Sequence, residues 1–126
     1  MIAADTSTWI AFFEGAGGDD VERLVQALGD RQVVMAPAVL TELLSDPELP
    51  DSAARLLSEV PLSEVEIGYW ERAGRLRARV LRKKRKARLG DAQIAQICMD
   101  NGISLLTRDR DFRAFADAAG LKLVIG

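Results

Sequence analysis

Four acidic residues far apart in the chain, Asp5, Glu42, Asp91 and Asp109, fall where strand ends and helix starts are expected. Brought together, carboxylates repel by about 4 kcal/mol per pair at roughly 4 Å and an effective dielectric near 20, so such a cluster must bind cations or hold protons. A hard divalent ion suits it. Mg²⁺ or Mn²⁺ takes oxygen ligands, keeps several waters and lets substrate phosphates complete its shell. One such ion turns a bound water into a nucleophile, and a second, about 3.5 to 4 Å away, stabilises the leaving oxygen of an in-line displacement. None of this chemistry needs histidine, and the chain has none.

The elements that must position these acids are read from spacing. Asp91 precedes Ile94, Ala95, Ile97 and Cys98 at helical intervals, and Gly102 stands where a helix-terminating glycine belongs, so Asp91 is near a helix N-terminus. The segment 103–107, I-S-L-L-T, reads as a buried strand with Asp109 and Asp111 just beyond it. A helix between parallel strands runs antiparallel to them, which puts its start and the strand's end on one edge. That carboxyl edge is where open α/β sheets bind ligands. Ile2 to Asp5 is a short strand ending on an acid, and Thr6, Ser7 and Thr8 offer caps for a helix carrying Trp9, Ile10, Phe12 and Phe13. Residues 19–28 form a helix stopped by Gly29, Val33 to Ala36 a second strand, and Pro37 the first turn of a helix that holds Glu42 in its second turn. Because helical side chains lean toward the N-terminus, Glu42 can reach the same edge.

Ala53, Leu56 and Leu57 mark a short helix, and Ser63 with Glu66 has the spacing of a capping box that opens a long one, with Tyr69, Ala73, Leu76 and Val80 on its apolar face. A helix holding Phe112, Phe115 and Ala116 and a last strand, Leu121 to Ile125, complete the order. Strands alternating with helices predict a mainly parallel central sheet with helices on both faces. At 126 residues and 48% hydrophobic content, one domain over residues 1–126 is expected, with a core that needs no disulfide.

Composition removes several function classes. Without histidine there is no imidazole base and no Ser-His or Cys-His nucleophile, and the single cysteine, Cys98, rules out an intrachain disulfide or a multi-cysteine zinc site. A reducing cytoplasm fits this usage. The apolar N-terminal stretch lacks a basic flank and is broken by Asp5 to Thr8, so neither a signal peptide nor a membrane span is expected. Net charge is −2, but residues 72–88 hold ten cations and no anion, so the remainder must carry −12. Within that run Arg82, Lys83, Lys84, Arg85, Lys86 and Arg88 fit two roles equally, contact with nucleic-acid phosphates or a solvated helix end.

Each acid also has an ordinary role. Asp5 fits a helix cap, Asp91 an acid favoured by the helix dipole, Glu42 a solvent-facing side chain, and Asp109 and Asp111 surface pairs or turn residues. Only their convergence on one edge argues for a site.

The segments Ile2-Ala-Ala-Asp5-Thr-Ser, Leu40-Thr-Glu42-Leu, Gly90-Asp91-Ala-Gln-Ile-Ala and Leu106-Thr-Arg-Asp109-Arg-Asp-Phe resemble the PIN domain in its VapC toxin branch. The likeness spans nearly the whole chain, each motif being weak alone and the four in order strong together. It implies a three-layer α/β/α sandwich and a Mg²⁺- or Mn²⁺-dependent endoribonuclease, the toxin of a type II toxin–antitoxin pair. Homodimerisation and inhibition by a small VapB-like antitoxin, whose tail lies in the groove beside the acids, are implied too. Matched position by position, Asp5, Glu42, Asp91 and Asp109 correspond to the four acids. Asp111 competes for the fourth role, and Thr107 and Ser7 are candidates for hydrogen bonds to the carboxylates.

Two rival functions compete with this one. A phosphotransfer domain also places aspartates at strand ends, but Asp5-Thr6-Ser7 lacks a D-x-D pair and none of the lysines follows a predicted strand. A catalytically silent PIN-like module that binds RNA or protein is the second, and the retention of all four acids argues against it.

Overall fold

A computed structural model describes residues 1–126. Three parallel strands, β1 (Ile2–Ala4), β2 (Ser104–Thr107) and β3 (Leu123–Ile125), form the sheet in that order, with Ile2 opposite Ser104 and Leu105 opposite Leu123. Between β1 and β2 the chain makes six helices: α1 (Thr6–Phe13), α2 (Asp19–Gly29), α3 (Pro37–Leu44), α4 (Asp51–Glu59), α5 (Tyr69–Arg82) and α6 (Leu89–Asp100). A 3-10 turn, Arg110–Phe112, and α7 (Arg113–Ala119) join β2 to β3. The result is the expected α/β/α arrangement.

Apolar periodicity explains the layering. Helix α5 buries Tyr69, Ala73, Leu76 and Val80, one per turn, and packs that stripe on α6. Helix α6 is covered on most sides, with Ala92, Ile94, Ala95, Gln96, Ile97 and Cys98 all buried, because it lies between α5, α3 and β2. On the other face α1 and α2 pack against each other and the strands. A core of 29 residues runs through all layers, and Trp9, Phe112 and Phe115 are its largest side chains. Truncating one of its members, Ile94→Ala, would cost about 2–5 kcal/mol.

Two local expectations fail. The segment 33–36 is not a strand of the sheet but makes one isolated parallel bridge on each side, Val33 with Ile2 and Met35 with Leu62. Proline is the reason: Pro61 accepts from the Met35 N–H but has no N–H to extend the ladder, and Pro37 already begins α3. Nor does Ser63 open a capping box. Its N–H is committed to the Met35 carbonyl, and the long helix starts six residues later behind Gly68, whose φ of 84° favours glycine.

Candidate active site

The carboxyl edge collects the acids through local chain logic. Asp5, directly after β1, is the N-cap of α1, and its Oδ1 accepts from the Thr8 N–H at 3.1 Å and the Ser7 hydroxyl at 2.7 Å. Of the expected caps, then, Asp5 fills the position and Thr6, Ser7 and Thr8 stand inside the helix. The other oxygen, Oδ2, accepts from the Thr107 hydroxyl at the end of β2, at 2.7 Å. Thr107 Oγ1 in turn accepts from the Asp109 N–H at 2.9 Å, and Ser7 Oγ accepts from the Arg108 N–H at 2.9 Å. These bonds tie the residue after β1 to the loop after β2, so Ser7 and Thr107 are brought to the acids as expected.

Asp91 sits in the first turn of α6 and differs from Asp5 in one respect. Its Oδ2 is buried and has no hydrogen-bond partner. Burial, with the negative charges of Asp109, Asp5 and Glu42 working against the opposing pull of Arg88, pushes its carboxyl up to about 6. Asp5 also titrates above the ordinary carboxylate range because it is buried and faces Asp109, although its three hydrogen bonds oppose the shift. Glu42 is exposed, accepts from the Thr6 hydroxyl at 2.9 Å, and has Oε1 beside Gly90, where an added Cβ would lie 3.5 Å away. Asp109 caps the 3-10 turn through the Asp111 N–H at 2.9 Å and has Arg88 Nη1 at 3.8 Å.

Four acids therefore share one edge, and their charges are felt at Asp91. Asp111 is drawn to Lys86 at 3.1 Å, while Asp109 shares the hydroxyl chain with Asp5. As the side chains stand, no three carboxylates close around one point. Like charges oppose their closer approach, and Asp109 and Glu42 are each engaged elsewhere, by Arg88 and by the Thr6 hydroxyl. The donor set still suits a hard divalent cation: every candidate atom is oxygen, Asp91 Oδ2 has lone pairs and no donor, and the buried Cys98 thiol, pushed up to about 12, offers no thiolate.

The basic run folds back toward this edge instead of extending as a free helix end. Helix α5 stops at Arg82, Lys84 turns the chain with a φ of 60°, and Arg85, Lys86 and Arg88 pair with Asp117, Asp111 and Asp109. Arg82, Lys83 and Lys84 form no ion pair and are exposed.

Sequence reasoning passes over two residues in this neighbourhood. Arg108, read only as part of the Arg-Asp-Arg-Asp run, turns inward to Asp20, read only as the start of α2. An acid and a base 88 positions apart carry no local sign of such a partnership.

Comparison with known proteins matches residues 2–118 to the PIN domain. A VapC ribonuclease of Mycobacterium bovis is 28% identical over 130 residues, an alignment covering 97% of this chain and 96% of the relative, and Ribonuclease VapC11 of Mycobacterium tuberculosis aligns with the same values. Among solved structures, VapBC2 from Rickettsia felis, bound to a DNA fragment from its promoter, superposes with a TM-score of 0.75 at 18% identity over 100% of this chain and 99% of that one. VapBC-5 from Mycobacterium tuberculosis gives 0.72 at 22%, covering 99% and 98%. At these identities the structural likeness shows the fold.

Proposed function

This chain belongs to the PIN domain family, and from that premise we propose that it is a divalent-metal-dependent endoribonuclease, the toxin of a VapBC-like pair. Nucleases of this family depend in general on a divalent metal. The observation that carries the reading is the unpartnered, buried Asp91 Oδ2 on the carboxyl edge, within electrostatic reach of Asp109, Asp5 and Glu42. A carboxylate in that position, without a donor, is stabilised by a cation.

Asp5, Glu42, Asp91 and Asp109 would hold the ion, Mg²⁺ or Mn²⁺ being the hard cations this oxygen set suits. When bound, it supplies a nucleophilic water and charge stabilisation for displacement at an RNA phosphate. The chain's own residues prepare the site. Ser7, Thr107 and the Thr8 N–H fix both oxygens of Asp5, so that one carboxylate enters the site without rotamer freedom to lose. Asp91 is held by the rigid first turn of α6 and keeps its lone pairs free. Thr6 restrains Glu42 at the rim, and Asp111, paired with Lys86, serves as a reserve acid to Asp109.

Arg82, Lys83 and Lys84, exposed and unpaired, are the cations available to RNA phosphates, while Arg85, Lys86 and Arg88 hold acids until the substrate competes for them. Val65, Ile67, Trp70 and Leu89 are large, apolar and 45–98% exposed, and Val65 and Trp70 line a groove that reaches Glu42 and Gly90. An uncovered apolar face of that kind belongs to an interface, and a second copy of the chain is one partner that the family resemblance implies. The VapBC complexes among the structural neighbours support a small antitoxin as the other partner. No helix is long and apolar enough to cross a membrane, and we place the activity in the cytoplasm.

Purified protein should cleave single-stranded RNA with Mg²⁺ or Mn²⁺ and cease on chelation, and expression without the antitoxin should arrest growth. RNA binding with no cleavage under any divalent ion would replace the nuclease by a silent binding module.

A further inference from the structure

Asp20, in the first turn of α2, is fully buried, yet it is not one of the four acids of the carboxyl edge. Its Oδ2 accepts from Arg108 Nε at 2.9 Å and from the Thr8 hydroxyl at 2.8 Å, and its Oδ1 accepts from Arg108 Nη2 at 3.1 Å. Burial alone would raise this carboxyl, but the Arg108 and Thr8 hydrogen bonds and the guanidinium charge hold it below the ordinary range. Arg108 Nη2 also donates to the Gly17 carbonyl. The guanidinium passes so close to the backbone that a Cβ on Gly18 would lie 2.8 Å from Nη2 and 2.9 Å from Asp20 Oδ1. The pair is thus built in, with a two-point geometry that a lysine cannot reproduce.

Its place in the chain gives it a consequence. Arg108 lies between Thr107, which donates to Asp5, and Asp109. Its own N–H is held by Ser7, so residues 107–109 are fixed on one side by the hydroxyl chain and on the other by the side chain that reaches α2. Thr8, which donates its hydroxyl to Asp20, also donates its N–H to Asp5. One buried carboxylate therefore braces both segments that carry Asp5 and Asp109.

We propose that Asp20 and Arg108 are positioning residues of the metal site, a buried clamp that sets the separation between Asp5 and Asp109. This rests on the reading that those acids hold a divalent ion. Supporting groups behind metal ligands change affinity by about 10- to 100-fold when removed.

The test is Mn²⁺ affinity, read by electron paramagnetic resonance of the free ion, on protein shown to be folded by circular dichroism at the temperature used. Asp20→Asn should weaken Mn²⁺ binding by about tenfold or more, and Arg108→Lys, which keeps the charge but not the two-point contact, should weaken it less. If Asp20→Asn does not fold, Arg108→Lys carries the test alone. Folded variants that bind Mn²⁺ as tightly as wild type would overturn the clamp and leave the metal site standing, the pair then serving stability only. Wild-type protein that binds no Mn²⁺ would overturn the metal reading, and the clamp with it.

Discussion

Asp20 and Asp91 occupy equivalent places, each in the first turn of a helix and each with buried carboxylate oxygen, and they are treated in opposite ways. Asp20 meets a guanidinium and a hydroxyl, and its carboxyl is held low. Asp91 is pushed up to about 6 by burial first and then by three like charges that outweigh Arg88, and it keeps an oxygen without a donor. The first arrangement stabilises the fold. The second costs stability, which a protein retains where the charge is needed for something other than folding.

The sharpest way to break this contrast is to neutralise Asp91. Asp91→Asn should lower metal-dependent RNA cleavage by about 100-fold or more, that is about 3 kcal/mol of transition-state stabilisation. Single-turnover cleavage of a labelled RNA measures it, and retained activity would make Asp91 a bystander. Neutralising Asp20 should act on the fold as well as on metal binding: Asp20→Asn leaves Arg108 half-buried and unpaired, and chemical denaturation should show a loss of about 2–3 kcal/mol.

Asp91→Asn should move stability the other way. A carboxyl whose folded pKa of about 6 exceeds its unfolded value holds more protons in the native state, so its cost is absent well below pH 4, grows as pH rises through 6 and then levels off. A rise to about 6 corresponds to about 3 kcal/mol, which solvent at this partly exposed side chain reduces to roughly 1–2 kcal/mol. Metal-free wild type should therefore lose stability between pH 4 and pH 7 relative to Asp91→Asn, and parallel pH profiles would remove the contrast. The smallest effect is expected at the basic run. Serine at Arg82, Lys83 and Lys84 should flatten the salt dependence of RNA binding by about 0.7 in log–log slope for each phosphate no longer neutralised. An unchanged slope would return these three residues to solvent.

Much of the architecture is legible in the sequence because it depends on periodicity. The stripe from Tyr69 to Val80, the apolar run in α6 and the short strand ending at Thr107 all appear where spacing predicts them. The failures come from bonds made with distant backbone: Val33 to Ala36 has strand composition, but two prolines limit its pairing, and the N–H of Ser63 goes to Met35 instead of capping a helix. Ser7 and Thr107 stand out as candidates beside their acids, whereas Thr6, Thr8, Asp20 and Arg108 do not, since nothing near them in the chain announces their partners.

The chain alone determined which chemistry was open: without histidine, and with one cysteine on an apolar helix face, only oxygen donors remain. It also determined that four acids fall at strand ends and early helix turns, because those positions follow from short-range spacing. Only the tertiary structure decided what each acid meets. Whether a carboxylate is paired, like Asp20, or left with an unpartnered oxygen, like Asp91, depends on groups tens of residues away, and electrostatic energy follows distance in space rather than along the chain.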